Sequence, residues 1–142
     1  MAIVLKHSSA EPSAEDGARV LVDRRLPRGM EEDALALRRW LPALAPGSEL
    51  LRWLAAQPGK WTIFCRRYLD ELDHPQALAA LQELAALAEG EERVTLLTSA
   101  AEPERSHAAV LRDLLSGARK PPATTGPARV AGSGRARARR PK

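Results

Sequence analysis

Three arginines stand close together in the stretch VLVDRRLPRG, residues 20–29. Arg24, Arg25 and Arg28 follow an apolar run that ends in Asp23, and Pro27 and Gly29 close the turn. Guanidinium groups stay charged and bind carboxylates and phosphates through paired N–H donors. A stiff turn ending in glycine also lets a ligand approach backbone N–H groups. The pattern predicts an anion-binding loop built on Arg24 and Arg28, with Arg25 facing solvent. The competing reading is that both arginines pair with Asp23, Glu49 or another carboxylate and only fix the loop.

Asp23 and His107 are the candidate acid–base groups. A carboxylate beside guanidiniums stays ionised and is a weak base, so Asp23 is better suited to orient an arginine than to take a proton. An imidazole titrates near neutral pH, which suits His107 to proton transfer. Its competing role is local hydrogen bonding at a helix terminus. Ser99 and Ser106 flank the same region, but the sequence has no G-x-S-x-G context for a serine nucleophile. His7 and His74 have no partner pattern, so no metal site is expected. Cys65 is the single cysteine; it lies beside Arg66 and Arg67 and reads as a half-buried structural residue rather than a reactive thiol.

These residues must be held by a small α/β domain. Ala2 to Leu5, Arg19 to Asp23 and Arg93 to Thr98 are short apolar runs and read as strands. Val20, Leu21 and Val22 are consecutive rather than alternating, as in strands covered on both faces. Between the second and third strands the periodicity is helical. EEDALALRRWL carries carboxylates in its first turn. Ser48 is placed to cap a second helix through Leu50, Trp53 and Leu54. Trp61, Phe64, Tyr68 and Leu72 fall on one face of a third. Pro75 opens a fourth that Gly90 stops, and a last helix runs through Val110, Leu111, Leu114 and Leu115. The expectation is a small, mostly parallel sheet of about three strands with about five packed helices. The long crossover favours parallel pairing. Ligands of such sheets bind outside the carboxyl ends of the strands, which is where DRRLPRG and TSAAEPERSH fall.

The net charge of +4 is unevenly spread. Of the 22 basic residues eight lie between Gly117 and Lys142, where no acidic residue occurs; the first 116 residues keep 14 basic against all 18 acidic residues, a net of −4. The chain therefore reads as an acidic domain over residues 1–116 and a basic, disordered tail over 117–142. Arg135, Arg137, Arg139 and Arg140 suit sequence-independent contact with nucleic acid; the competing reading is a solubilising extension. No apolar run approaches the roughly 18 to 20 residues that span a membrane, and no signal peptide opens the chain, so a cytoplasmic location is expected.

The order VLVDR-x-x-PRG, W-L-x-x-L-A-P, E-L-x-x-W, P-x-x-W-x-x-F-x-x-x-Y-x-x-E-L, V-T-L-L and H-A-x-V-L resembles the YeaO-like family from about Ile3 to Leu115. The matching positions include Asp23, Arg24, Pro27, Arg28, Gly29, Trp40, Pro46, Glu49, Trp53, Trp61, Phe64, Tyr68 and His107. The resemblance implies a compact bacterial α/β domain without an established reaction. Leu26, Pro42, Gly47, Ala56, Thr98 and Ala101 depart from the family pattern, several in place of polar groups. No glycine-rich cofactor loop occurs, and no cofactor is expected.

Two functions follow. The first is an anion pocket of Arg24, Arg28 and the loop after the third strand, accepting a phosphorylated or carboxylated small molecule, with Asp23 and His107 assisting any chemistry. The second is a non-enzymatic module attached to nucleic acid or an acidic partner through its tail.

Overall fold

The computed structural model describes residues 2–117. The basic tail, with Arg135, Arg137, Arg139 and Arg140, lies outside the described residues. The chain divides after Arg112; the sheet and its packing belong to the first part, and of the second only residues 113–117 are described.

Four strands form one parallel sheet in the order β1-β4-β2-β3. They are β1 (Ala2–His7), β2 (Ala18–Leu21), β3 (Arg39–Trp40) and β4 (Arg93–Thr98). The apolar run RVTLLT forms the interior strand β4, buried from Val94 to Thr98. It pairs with β1 from Ala2↔Arg93 to His7↔Thr98 and with β2 from Ala18↔Val94 to Leu21↔Leu97. The sheet is thus mostly as expected, with one more strand.

That strand replaces the first expected helix. Glu32–Leu35 makes only a 3-10 turn, ended by Ala36 in the left-handed region at φ 52°. The chain then runs alongside β2: Arg38 N–H donates to the Arg19 carbonyl at 2.7 Å and Leu41 N–H to the Leu21 carbonyl at 2.9 Å. Sheet bonds satisfy here the backbone groups that a helix would have satisfied internally. Leu35 completes an apolar cluster with Leu21 and Leu97, and Leu26, Met30, Leu37 and Trp40 pack around it. Leu21 and Leu97 are register partners, so their side chains share one sheet face. The arginine loop is therefore anchored: its own Leu26 and the following Met30 cover that face.

Four α-helices follow: α1 (Ser48–Ala56), α2 (Trp61–Glu71), α3 (Pro75–Gly90) and α4 (His107–Ser116). Pro75 opens α3 at the first turn as expected. The cap of α1 is Gly47 rather than Ser48. No side chain caps that helix; instead the Glu71 carboxylate accepts from Gly47 N–H at 2.8 Å and joins the end of α2 to the start of α1. On α2, Phe64, Cys65 and Tyr68 are buried, and Leu72 just beyond it is buried too. No helix among the described residues is long and apolar enough to cross a membrane.

Candidate functional site

The carboxyl ends of β1, β4 and β2 bring His7, Thr98, Ser99 and Asp23 to one edge. Asp23 follows β2 by two residues and is half-buried. Its carboxylate faces β4 rather than a guanidinium. Thr98 Oγ1 donates to Oδ1 at 2.8 Å, and the Ser99 N–H and hydroxyl donate to Oδ2 at 2.7 and 2.9 Å. The Asp23 carbonyl accepts from Trp40 Nε1 at 2.9 Å. One residue thus ties together the ends of three strands.

His107 opens α4 and is buried. Its Nε2 lies 2.9 Å from the Val22 carbonyl and 3.4 Å from Asp23 Oδ1. A carbonyl only accepts, so Nε2 carries the proton and donates. Burial alone would raise the Asp23 carboxyl, but His107, the Ser99 N–H and the Thr98 hydroxyl outweigh it and hold the group below the ordinary carboxylate range. Behind the imidazole stands an aromatic column. Trp61 stacks on Phe64 at 5.2 Å, Phe64 on Tyr68 at 6.0 Å, and Tyr68 meets His107 edge-on at 5.8 Å. The helical spacing of these residues on α2 was legible; their meeting with His107 was not.

The serines are likewise engaged. Ser99 Oγ donates to Asp23, and Ser106 Oγ donates to the Pro103 carbonyl at 2.7 Å. His7 bonds Ser9 Oγ through Nδ1 and the Ser99 carbonyl through Nε2. Among the described residues no group of three or more His, Cys, Asp or Glu could hold a metal ion.

The two candidate arginines have different settings. Arg24 reaches back to the Ala45 and Pro46 carbonyls at 3.4 and 3.3 Å, the long end of hydrogen bonding. It lines a cavity of about 310 Å³ with Tyr68, Glu71, Leu72, His74 and Gln76. Arg28 is exposed on the loop and does not line that cavity. Among the described residues neither forms an ion pair. Pairing with Asp23 or Glu49 is therefore not what holds the loop. Glu71, His74 and Gln76 had no signal in the sequence, because only the return of α2 and the start of α3 toward Arg24 brings them there.

A family model described as the inactive DUF488-N3 subclade matches residues 2–128. The chain belongs to the DUF488 family. Similar relatives include an uncharacterized protein of Mycobacterium tuberculosis and one of Mycobacterium bovis, each 42% identical over 103 residues, covering 72% of this chain and 84% of the relative. YeaO of Escherichia coli is 37% identical over 101 residues, covering 70% of this chain and 84% of YeaO. No solved structure matches. The resemblance read from the motifs thus stands at the level of the DUF488 family. Several departures from the YeaO-like pattern have structural work in this DUF488 domain. Leu26 packs under the loop, Pro42 opens a 3-10 turn, and Thr98 donates to Asp23.

Proposed function

We propose that this DUF488 domain is a non-catalytic binding module that takes a small anionic ligand through Arg24. The observation that carries the reading is a contrast. The Asp23 carboxylate, the Ser99 hydroxyl and the His107 Nε2–H, which belong to the groups suited to acid–base or nucleophilic chemistry, are engaged with one another and with backbone. Arg24, by contrast, borders a cavity with no carboxylate paired to it. A general base needs a free lone pair within reach of a substrate proton; both Asp23 oxygens already accept hydrogen bonds, and the description of the matching subclade as inactive points the same way. Arg28, on the same loop, adds positive potential at the approach.

A thermal-shift screen of the full chain against phosphate, acetate, sugar phosphates and nucleotides tests this. A ligand at about 100 times its dissociation constant adds about 2.7 kcal/mol to the folded state. The stabilisation disappears in Arg24→Gln and shrinks in Arg28→Gln. Stabilisation that survives Arg24→Gln removes the assignment.

Charge segregation favours a second contact. The eight basic residues of 117–142 face no acidic residue in that segment. They suit salt-sensitive, sequence-independent attachment to nucleic acid, in which each phosphate neutralised adds about −0.9 to the slope of log affinity against log salt. Replacing Arg135, Arg137, Arg139 and Arg140 with alanine flattens that slope. A slope unchanged by the substitutions places the contact elsewhere.

A further inference from the structure

The cavity beside Arg24 has a second charged wall. Glu71 ends α2 and lines the same space, with His74 and Gln76 at the start of α3. Arg24 and Glu71 form no ion pair with each other, nor does either with another described residue. Glu71 Oε1 accepts one backbone bond, from Gly47 N–H at 2.8 Å; no hydrogen bond from a described residue reaches Oε2. The negative charge of Glu71 is felt inside the wall, since burial, then Glu71, then Asp23 raise the Tyr68 phenol well above its ordinary value. A simple anion at Arg24 would meet this carboxylate as a like charge, which costs binding. A ligand with a cationic group on its other end converts the same carboxylate into a contact. The rest of the lining includes apolar side chains, Ala43, Ala45, Leu72 and Ala77. At about 310 Å³ the space is at the small end of ligand cavities.

We infer that the ligand of this cavity is a small zwitterion, its carboxylate held by Arg24 and its ammonium by Glu71. This rests on the anion reading of Arg24 and adds the identity of the opposite pole. The two poles are held by different elements, the loop after β2 and the last turn of α2. A ligand that joins them also joins the sheet to the helical layer.

The experiment is a calorimetric titration of the full chain with acetate, then with glycine, β-alanine and γ-aminobutyrate, which separate the two charges by increasing lengths. The expected result is that one amino acid binds at least about tenfold more tightly than acetate, a difference of about 1.4 kcal/mol. Arg24→Gln abolishes binding of both. Glu71→Gln keeps an oxygen for Gly47 N–H, so the join between helices survives, and it lowers the amino acid's affinity to that of acetate. If acetate binds through Arg24 and no amino acid does better, the zwitterion is wrong and the anion site stands. If no binding depends on Arg24, both fall.

Discussion

His107 Nε2 and Asp23 Oδ1 lie 3.4 Å apart, yet the imidazole proton points to the Val22 carbonyl at 2.9 Å. An acid–base pair in sequence is a clasp in space. It fastens the start of α4 to the end of β2, and Thr98 and Ser99 fasten the same carboxylate to β4.

Asp23→Asn should therefore act on stability. The asparagine keeps one acceptor oxygen but turns an N–H donor toward Thr98 or Ser99. Hydrogen bonds to a charged acceptor contribute about 1.5–3 kcal/mol, and a loss of about 2 kcal/mol at pH 7 is expected. The carboxyl is held below its ordinary range, net of a burial effect that opposes this. Its contribution is thus present above about pH 4 and is lost as the pH falls through the lower folded value. Urea unfolding at pH 7 and pH 3 should show a wide gap between wild type and variant that narrows in acid. A gap of equal size at both would mean that the charge is not what matters.

Tyr68 is the only tyrosine of the chain, so its ionisation can be followed by ultraviolet absorbance alone. The ring is buried and its hydroxyl donates to the Leu44 carbonyl at 2.6 Å. Burial, then Glu71 and Asp23, push the phenol well above its usual value near 10. The neutral form is the one that fits the fold. Its contribution is complete below about pH 10 and is lost as the pH rises toward the folded value. The expected titration is flat through pH 10 and then steep, coincident with the loss of helical circular dichroism. A smooth titration near 10 in a folded protein would contradict the buried hydrogen bond. Tyr68→Phe should cost about 1 kcal/mol.

Much of the scaffold was legible because its signals are local. RVTLLT announces β4 by composition, and Trp61, Phe64 and Tyr68 announce one face of α2 by spacing. The stretch around Trp40 reads as helix from sequence because Leu37, Trp40, Leu41 and Leu44 repeat at helical intervals. Its strand conformation depends on Arg19 and Leu21, about twenty residues away, and no local pattern carries that. The site divides the same way. Asp23, Arg24 and His107 stood out by residue type. That Asp23 would turn to Thr98 and Ser99, 75 and 76 residues later, was decided by the sheet order.

Gly17 and Gly29 make a controlled pair. Both have positive φ, 66° and 77°. A Cβ at Gly17 would collide with the Arg93 carbonyl, whereas one at Gly29 meets nothing within 4 Å. Gly29→Ala should cost only the left-handed backbone term, about 1–2 kcal/mol. Gly17→Ala adds a clash with the Arg93 carbonyl at the start of β4 and should exceed it by about 1–3 kcal/mol, the cost of overpacking a core. Thermal unfolding of the two variants side by side checks this. Equal costs would show that the approach to Arg93 relaxes freely.

Asp16 and Arg19 form a buried ion pair. Arg19 Nη1 lies 2.6 Å from Asp16 Oδ2, with the two side chains 4% and 7% exposed. Lys6 Nζ reaches the other Asp16 oxygen at 3.0 Å, and Arg19 Nε donates to the Leu35 carbonyl at 2.7 Å. Arg19 Nη2 is buried with no partner among the described residues, so one end of the guanidinium is already unsatisfied. Burial alone would raise the Asp16 carboxyl, but Lys6, Arg19 and the Ser13 N–H bring it below its ordinary range. Removing the carboxylate leaves a buried cation uncompensated, which costs about 3–5 kcal/mol. Asp16→Ala is expected to lose that much in urea unfolding at pH 7. Asp16→Ala combined with Arg19→Met should recover most of it, because the stranded charge is gone and an apolar chain fills the space. A double variant no better than the single would show that Asp16 acts through its Ser13 capping contact instead.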